Sequence, residues 1–318
     1  MVPGWIAGQY SQDEGTVDLA GLAKRAGVDL VLDRCMAIDP VANSVLTQST
    51  GLIPFDIASI DTGGVGQAAR LLGNDPRLVD VRPIQGFVER IESLDDKRIA
   101  VIGGGAGGVE MAFALNNRVH DAKVSLVAGA DGLLPAFSAT VVRKVRSELG
   151  RQGIELIEAD ARFEAGELVA DGRSLEPLDV IIAATGSGAP DWPLSGGLAC
   201  DKAGFIAVDR HQRSTSHRHI FAAGDIAARS DTIVPHSGVH AVHTGPVLAA
   251  NLRAVMEGRE ARRSYHPRRH SLYLLSCGNG TAIASYGLLS AQGRWVARLK
   301  HTIDNRWISK YAKLGGKV

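Results

Sequence analysis

The chain is poor in cysteine and has no long apolar run, and each absence excludes a class of protein. Its 318 residues include three cysteines, Cys35, Cys200 and Cys277, which form no C-x-x-C or C-x-x-x-x-C pair. This spacing excludes a dithiol centre built from neighbouring cysteines and favours a reducing compartment. No apolar run reaches the ~20 residues that a membrane-spanning helix needs. We therefore expect a cytoplasmic protein.

The net charge of +1 hides an uneven distribution along the chain. From Arg253 to Val318 there are thirteen Lys and Arg against three acids, a local charge of +10, so the first 252 residues carry −9. A basic tail on an acidic body is expected to meet a negatively charged surface. No recognised nucleic-acid-binding module surrounds the charge, so we expect no nucleic acid partner. The negatively charged surface that the tail meets is then either lipid or the acidic body of the protein itself.

The most informative motif is a glycine-rich turn between a strand and a helix. Residues 98–102 predict a short buried strand, and the apolar run after Val109 predicts a helix. Between them Gly103, Gly105 and Gly108 follow the order G-x-G-x-x-G. The first glycine permits a tight turn, the second lets the backbone approach a pyrophosphate, and the third lets helix and strand pack closely. The context favours a dinucleotide-binding turn over a glycine-rich loop without a ligand.

Strands and helices alternate after this turn, and that alternation predicts a parallel sheet covered by helices. The expected elements are strands at 123–127, 154–157 and 178–184 and a helix at 139–152. Elsewhere the pattern predicts antiparallel strands at 29–38 and 44–47, a buried strand at 55–60 and a helix at 84–92. Towards the end it predicts a strand at 220–223, a helix at 238–256, a hairpin at 272–288 and a helix at 293–313.

Three of the predicted strands end in small residues. They are followed by Asp61-Thr62-Gly63-Gly64, by Thr185-Gly186 and by Gly224-Asp225. Ligands of open α/β sheets bind outside such strand ends, where small residues leave room. An acid at a strand end, such as Asp225, can accept hydrogen bonds from the hydroxyls of a sugar or ribityl chain. Ordinary loop chemistry explains any one of these turns, but three around a dinucleotide fingerprint favour a ligand site.

The order of these motifs resembles that of a known superfamily. GGGAGGVE, IIAATG, HIFAAGD and the segment from Pro235 to Leu252 are similar to the pyridine nucleotide-disulfide oxidoreductase superfamily, whose flavoproteins contain two dinucleotide-binding domains. Within it the chain resembles type II NADH dehydrogenases. It also resembles the dehydrogenase-like domain that accompanies selenide, water dikinase, through MVPGWIAG, FDIASIDTGG and the C-terminal WVARLKHTIDNRW. The fold class this implies is α/β with two dinucleotide-binding domains.

The resemblance also implies an arrangement of domains. Residues 1–95 and 190–256 correspond to the FAD-type domain, 96–189 to the NAD(P)H-binding domain, and 257–318 to a small basic C-terminal region with a hairpin and an amphipathic helix. The turn at Gly103 corresponds to the second fingerprint of the superfamily. The first, which holds the ADP part of FAD, would lie before Met1, so the resemblance predicts an incomplete N-terminal FAD domain that lacks ~40–50 residues.

The implied activity is FAD-dependent oxidation of NAD(P)H, with hydride passing to the flavin and electrons to an unidentified acceptor. The alternative is a truncated, non-catalytic nucleotide-binding or interaction module. Glu110 corresponds to an acid near the nicotinamide, although a first-turn acid favoured by the helix dipole explains it equally well. The residues implied for NAD(P)H are Gly103, Gly105, Gly108, Glu110 and Gly186, and those implied for FAD are Asp61, Gly63, Gly224, Asp225, Gly238 and Ala241.

Three features depart from the pattern of type II dehydrogenases or add to it. Ala128-Gly129 follows the strand at 123–127, so no acid there selects NADH and no arginine cluster selects NADPH. Thr244 replaces a glutamine of the quinone site, which weakens the case for a quinone acceptor. His236, His240 and His243 suggest a metal, since His236 and His240 lie four residues apart on one helix face. No cysteine or further ligand has suitable spacing nearby, so we expect packing or flavin-facing roles and no metal.

The last predicted helix is amphipathic. Its apolar stripe is Trp295, Val296, Leu299, Ile303, Trp307, Ile308 and Tyr311, and it is flanked by Arg294, Arg298, Lys300, Arg306 and Lys310. Such a helix can lie in a membrane interface, which would place the protein peripherally at the inner face of the membrane. Packing on the body or on a second subunit of a homo-oligomer is an equally good explanation.

Overall fold

The computed structural model describes residues 2–11, 14, 16–92, 94 and 98–315. They form two compact units: unit 1 comprises residues 1–30, 66–186 and 270–318, and unit 2 comprises residues 31–65 and 187–269. Residues 270–318 of the basic C-terminal region thus belong to the same unit as the glycine-rich turn, whereas residues 257–269 belong to unit 2. The division into cofactor domains at 1–95, 96–189, 190–256 and 257–318 stays a prediction.

The described residues form the following elements. The helices are α1 (Val2–Ile6), α2 (Leu19–Ala26), α3 (Ala68–Leu72), α4 (Ile84–Glu92), α5 (Ala106–Arg118), α6 (Ala139–Arg151), α7 (Trp192–Ser195), α8 (Gly238–Met256) and α9 (Arg294–Gly315). The strands are β1 (Cys35–Asp39), β2 (Ser44–Thr47), β3 (Gly51–Pro54), β4 (Ala58–Ile60), β5 (Leu78–Asp80), β6 (Arg98–Ile102), β7 (Lys123–Val127), β8 (Glu155–Ile157), β9 (Ala161–Glu164), β10 (Glu167–Ala170), β11 (Arg173–Ser174), β12 (Val180–Ala183), β13 (Ile206–Val208), β14 (Ile220–Ala222), β15 (Ala227–Arg229), β16 (Tyr273–Ser276), β17 (Ala282–Tyr286) and β18 (Leu289–Gly293).

Unit 1 is built on a five-stranded parallel sheet in the order β5-β12-β6-β7-β8. Alternate residues of β6 face different apolar clusters: Ile99 and Val101 pack with α5 and α6, whereas Ala100 and Ile102 pack with Leu168 of the antiparallel β9–β11 sheet. Burial on both faces explains why the strands read as continuous apolar runs. The prediction of a parallel sheet is confirmed, but α5 and α6 cover one face and the β9–β11 sheet packs on the other.

The C-terminal part of unit 1 is an antiparallel sheet in the order β16-β17-β18, followed by α9. A buried carboxylate, Glu148 of α6, connects this sheet to the nucleotide-binding part of the unit. It accepts hydrogen bonds from Gln152 (2.8 Å), Asn279 (2.9 Å) and Gln292 (2.8 Å), and Arg151 pairs with it. The sequence predicted two strands here; β18 is a third.

Unit 2 contains the antiparallel sheet β1-β2-β3 and the parallel pairs β4–β14 and β13–β15. Its core is formed by aliphatic side chains from these strands, including Ile38, Ile60, Val208 and Ile220. The prediction of a strand from residue 29 was wrong, since β1 begins at Cys35 and its pairing with β2 is irregular between Cys35 and Ala37. Likewise β4 begins at Ala58, and β3 forms earlier, at Gly51–Pro54.

Candidate functional site

The glycine-rich turn has the geometry that the fingerprint predicted. Gly103 has φ +136°, and a Cβ there would collide with the carbonyl oxygen of Ala184. A Cβ on Gly108 would collide with the carbonyl oxygen of Gly103, whereas a Cβ on Gly105 would have no heavy atom within 4 Å. Gly105 is also the N-cap of α5. The first and third glycines are therefore required by packing, and the second leaves open space at the positive end of a helix.

The end of β12 lies against this turn. The Ala184 N–H donates to the Ile102 carbonyl (2.8 Å), and Gly186, with φ +85°, follows two residues later. The Thr185 hydroxyl oxygen between them is buried and has no hydrogen-bond partner in the described part of the chain. Buried polar groups are normally paired, so this hydroxyl fits a ligand group at the turn. Thr185 stands in a predicted strand-end turn but is not among the residues implied for NAD(P)H, although a hydroxyl residue at a strand end is a usable signal.

The residues that directly follow β7, Ala128 and Gly129, are not acidic. Two carboxylates from the segment after β8 nevertheless contact the loop after β7. Asp160 accepts a hydrogen bond from the Ala130 N–H (2.9 Å), and Glu158 accepts one from the Leu133 N–H (3.1 Å). The hydrogen bond from Arg146 lowers the pKa of Glu158. A search limited to residues adjacent to β7 could not find these acids, because pairing of β7 with β8 brings them there.

Glu110 anchors the C-terminal segment to α5. Its Oε1 accepts the Ser276 N–H (2.8 Å) and lies 3.6 Å from Lys300 Nζ. The first turn of α5 contains no acid, so the explanation of Glu110 as a first-turn residue is wrong. Its position near a nicotinamide stays a prediction.

In unit 2 the residues predicted for FAD gather at one edge of the β4–β14 pair. Parallel pairing of Ile60 with Ala222 puts the segments beginning at Asp61 and at Ala223 side by side. Desolvation raises the pKa of Asp61. A 3₁₀ turn at Gly224–Ile226 then packs on α8, and a Cβ on Gly224 would lie 4.0 Å from the Ala241 Cβ. Gly63 (φ +71°) follows Asp61, and Gly238 is the first residue of α8.

A small cavity of about 20 Å³ lies beside Asp225 at the beginning of α8, and two of the polar groups that line it have no hydrogen-bond partner in the described part of the chain. The Ser237 hydroxyl oxygen and Gln212 Nε2 are buried without a hydrogen bond among the described residues. Ser237 is the N-cap of α8 but makes no capping hydrogen bond. Free polar groups next to a helix N-terminus fit the polar part of a flavin, which offers acceptors and develops negative charge. Sequence reasoning missed both residues, because neither belongs to a motif.

His240 of α8 takes part in hydrogen bonding and His236, just before the helix, takes part in packing, whereas His243 is exposed. His240 Nδ1 and the Tyr265 hydroxyl are 2.6 Å apart, and burial lowers the pKa of His240. The His236 ring packs edge-on against Phe205 at 4.2 Å between centroids. Thr244, which stands where the resemblance implies a glutamine, donates to the Ala241 carbonyl of its own helix (3.0 Å). Within the described residues no group of three His, Cys, Asp or Glu could hold a metal.

Helix α9 divides its predicted apolar stripe between two faces. Val296 is fully buried, but Trp295 and Trp307 are 58% and 42% exposed, and Leu299 and Ile303 are exposed between them. These four residues are spaced by four and form one outward row. Among the described residues, no helix combines the length and the apolar character that a membrane crossing requires.

Comparisons with known proteins identify relatives. The profile of the pyridine nucleotide-disulphide oxidoreductase family matches residues 10–250. A type II NADH:quinone oxidoreductase of Staphylococcus aureus is 23% identical over 343 aligned positions, which cover 97% of this chain and 85% of the relative. The water-forming NADH oxidase from Lactobacillus brevis, solved with NADH, is similar in fold, with 23% identity and a TM-score of 0.72 over 90% of this chain. The chain spans 66% of the length of that oxidase.

A second solved structure with the same fold is a FAD-dependent pyridine nucleotide-disulphide oxidoreductase from Desulfovibrio vulgaris. It is 22% identical, with a TM-score of 0.64, and the match covers 86% of this chain and 76% of the other. At these identities the two structures establish the fold, which is the predicted α/β fold of flavoproteins with two dinucleotide-binding domains.

Proposed function

Because the chain belongs to the pyridine nucleotide-disulphide oxidoreductase family, we propose that it is a FAD-dependent NAD(P)H oxidoreductase. The observation that carries the proposal is the pair of buried polar atoms near Asp225, Ser237 Oγ and Gln212 Nε2, which have no hydrogen-bond partner among the described residues. The names of the relatives support it, since they include an NADH:quinone oxidoreductase, an NADH oxidase and a FAD-dependent enzyme.

The chain's own residues have distinct tasks in this proposal. Gly105 leaves space for the NAD(P)H diphosphate at the positive end of α5, and the Thr185 hydroxyl donates to the same ligand. Asp225 accepts hydrogen bonds from the ribityl hydroxyls of the flavin. The N-terminus of α8 favours negative charge on the ring system. The bound flavin supplies the redox chemistry by accepting hydride and passing electrons to a second substrate.

The cysteines take no part in this transfer. Burial raises the pKa of Cys35 and of Cys200, and it raises the pKa of Cys277 to about 12. All three are free thiols. Because the thiolate is the reactive form, these side chains are poor nucleophiles at neutral pH. We therefore propose that electrons leave the flavin for a diffusible acceptor rather than a cysteine pair.

A quinone is the acceptor that we propose to test first. The S. aureus relative is named a quinone oxidoreductase, which supports it, whereas Thr244 cannot offer the side-chain amide that the resemblance implies. Dioxygen is the natural comparison, since the L. brevis relative is named a water-forming oxidase.

The proposed function is tested by flavin reduction. The protein reconstituted with FAD should lose its flavin absorbance when NADH or NADPH is added without oxygen. Asp225→Asn should weaken FAD binding by roughly tenfold, since a hydrogen bond to a charged group contributes about 1.5–3 kcal/mol. Asp56→Asn is the matched control. Asp56 lies in the same unit, is exposed, and makes no side-chain hydrogen bond or ion pair with the described residues. If neither nucleotide bleaches the flavin, the proposed function is wrong.

We further propose that α9 binds an anionic membrane surface through its outward row. Trp295 and Trp307 would enter the interface while the flanking Lys and Arg meet the headgroups, each contributing about 1 kcal/mol. The charge pattern supports lipid over a protein partner, because the row is bordered by Arg294, Arg298, Arg306 and Lys310.

Vesicle flotation tests this assignment. The full chain should float with anionic vesicles and be released as salt rises, because exposed charges are screened beyond a Debye length of ~8 Å. Replacing both tryptophans by alanine should weaken binding roughly tenfold or more. Val41→Ala with Ile233→Ala removes two other highly exposed apolar side chains and should leave binding unchanged. Failure of the wild type to float would contradict the assignment, and dissociation of an oligomer by the tryptophan changes would replace it with a subunit contact.

A further inference from the structure

A second cavity, of about 510 Å³, lies in unit 1 away from the glycine-rich turn. It is bounded by Gln9 and Tyr10, by Ser276 at the end of β16, and by Arg294, Arg298 and His301 of α9. Its volume lies within the usual range of small-molecule sites, about 300–1,000 Å³. The proposed cofactor sites use none of these residues.

The cavity is positively charged, and its two arginines are unengaged. In the part of the chain that the structure describes, Arg294 and Arg298 make no ion pair or side-chain hydrogen bond. The third cation, Lys300, lies 3.6 Å from both Glu110 and Asp304, which offset its charge. None of the described lining residues is acidic. Three acids lie near Tyr10: Asp304 and Glu110 face Lys300, and Glu14 accepts a hydrogen bond from the Ser11 N–H (2.7 Å).

An aromatic stack of Tyr10 and His301 forms another part of the cavity wall. Tyr10 is buried and stacks on His301, with ring centroids 5.1 Å apart and planes within 2° of parallel. Burial, followed by the nearby Asp304, raises the pKa of Tyr10 to about 12, so the phenol is uncharged at neutral pH. Arg294 and Arg298 lie four residues apart at the beginning of α9, so they are neighbours on one helix face at its positive end.

We propose that this cavity binds a phosphomonoester between Arg294 and Arg298. A phosphomonoester carries a charge of about −1.5 to −2 at pH 7, which matches two guanidinium groups that lack other partners. The arginine fork suits phosphate oxygens and makes short charge-assisted hydrogen bonds to them. The cavity has room for an organic group attached to the phosphate, next to the Tyr10–His301 stack. Two sources share this chemistry: a soluble phosphomonoester and the headgroup of phosphatidic acid in a membrane.

Calorimetric titration of the full chain with glycerol 3-phosphate tests the site itself. We expect saturable binding that the double change Arg294→Gln with Arg298→Gln weakens by about tenfold or more. Arg306→Gln with Lys310→Gln is the matched control, because it removes the same charge from the same helix outside this cavity. The control should keep wild-type affinity. Both variants should keep the wild-type melting temperature without ligand, because neither arginine in the cavity has a partner to lose.

Vesicles containing phosphatidic acid or phosphatidylglycerol, matched in surface charge, separate the two sources. If the lipid headgroup is the ligand, the chain prefers phosphatidic acid, and only the change at Arg294 and Arg298 removes the preference. If a soluble ligand is used, glycerol 3-phosphate binds and the vesicles show no preference. The proposal is overturned if neither probe binds, or if the two double variants lose glycerol 3-phosphate binding equally, since that would indicate diffuse attraction to the basic face of α9.

Discussion

Gly105→Val is expected to weaken the binding of NADH and NADPH by roughly 10- to 100-fold without lowering the melting temperature. The Cβ position of Gly105 is open, with no heavy atom within 4 Å, so a side chain can begin there without a collision with the protein. It would instead occupy the space at the N-terminus of α5 in which the proposed diphosphate lies. Overpacking of this kind costs about 1–3 kcal/mol, which gives the stated loss at 1.4 kcal/mol for each factor of ten.

Two neighbouring glycines provide the controls for this prediction. A Cβ on Gly107 would also meet nothing within 4 Å, and Gly107 lies at a variable position of the fingerprint, so Gly107→Ala should keep both affinity and stability. Gly108→Ala should lower stability instead, because its Cβ collides with the Gly103 backbone, which cannot move without breaking the turn. Calorimetric titration with both nucleotides and thermal unfolding distinguish the three variants. Unchanged affinity of Gly105→Val would remove this turn from the nucleotide site.

The elements around this turn were predictable because their signals are local. The strand at Arg98–Ile102 and the helices at Ile84–Glu92 and Gly238–Met256 have the predicted bounds. After Arg98 the strand is a continuous apolar run, and the helix at Ile84–Glu92 has apolar residues at helical spacing. In contrast, β5 was not predicted, since it has three partly exposed residues and pairs only with β12 at the edge of the sheet. Its strand conformation is imposed by that neighbour rather than by its own pattern.

The candidate sites show the same division between local and long-range information. The glycines of the turn and Asp225 belong to motifs, so sequence and resemblance could identify them. Thr185, Gln212 and Ser237 became candidates only when burial showed that their polar atoms lack partners. Burial depends on which distant segments cover a residue, and no spacing in the chain encodes it directly. The similarity to the domain that accompanies selenide, water dikinase stays a prediction from sequence.

Glu148→Ala is expected to destabilise unit 1 by about 1–3 kcal/mol, the usual cost of removing a buried acceptor from its hydrogen-bond donors. Glu148 is 2% exposed, and its carboxylate accepts from Gln152, Asn279 and Gln292. Alanine would leave half-buried Gln152 and Gln292 and exposed Asn279 without their shared acceptor, and the half-buried amides carry most of the cost. Glu155→Ala is the control, because Glu155 makes an exposed pair with Arg173 (2.9 Å) whose loss should cost about 1 kcal/mol or less. Denaturant unfolding compares the two variants.

The alkylation rate of Cys277 shows whether the loss of the Glu148 network destabilises the C-terminal sheet in particular. Its thiol is fully buried beside the network, and Gln152, which donates to Glu148, also donates to the Cys277 carbonyl (3.0 Å). In the native protein Cys277 should resist alkylation, whereas in Glu148→Ala it should react faster, because the turn that holds Asn279 has lost its anchor. Cys35 and Cys200 lie in unit 2 and should keep their wild-type rates. The Glu148 network does not hold the C-terminal sheet if Cys277 stays protected and the free energy of unfolding falls by less than about 1 kcal/mol. In that case the apolar contacts of Leu275 and Ile283 with the core hold the sheet in place.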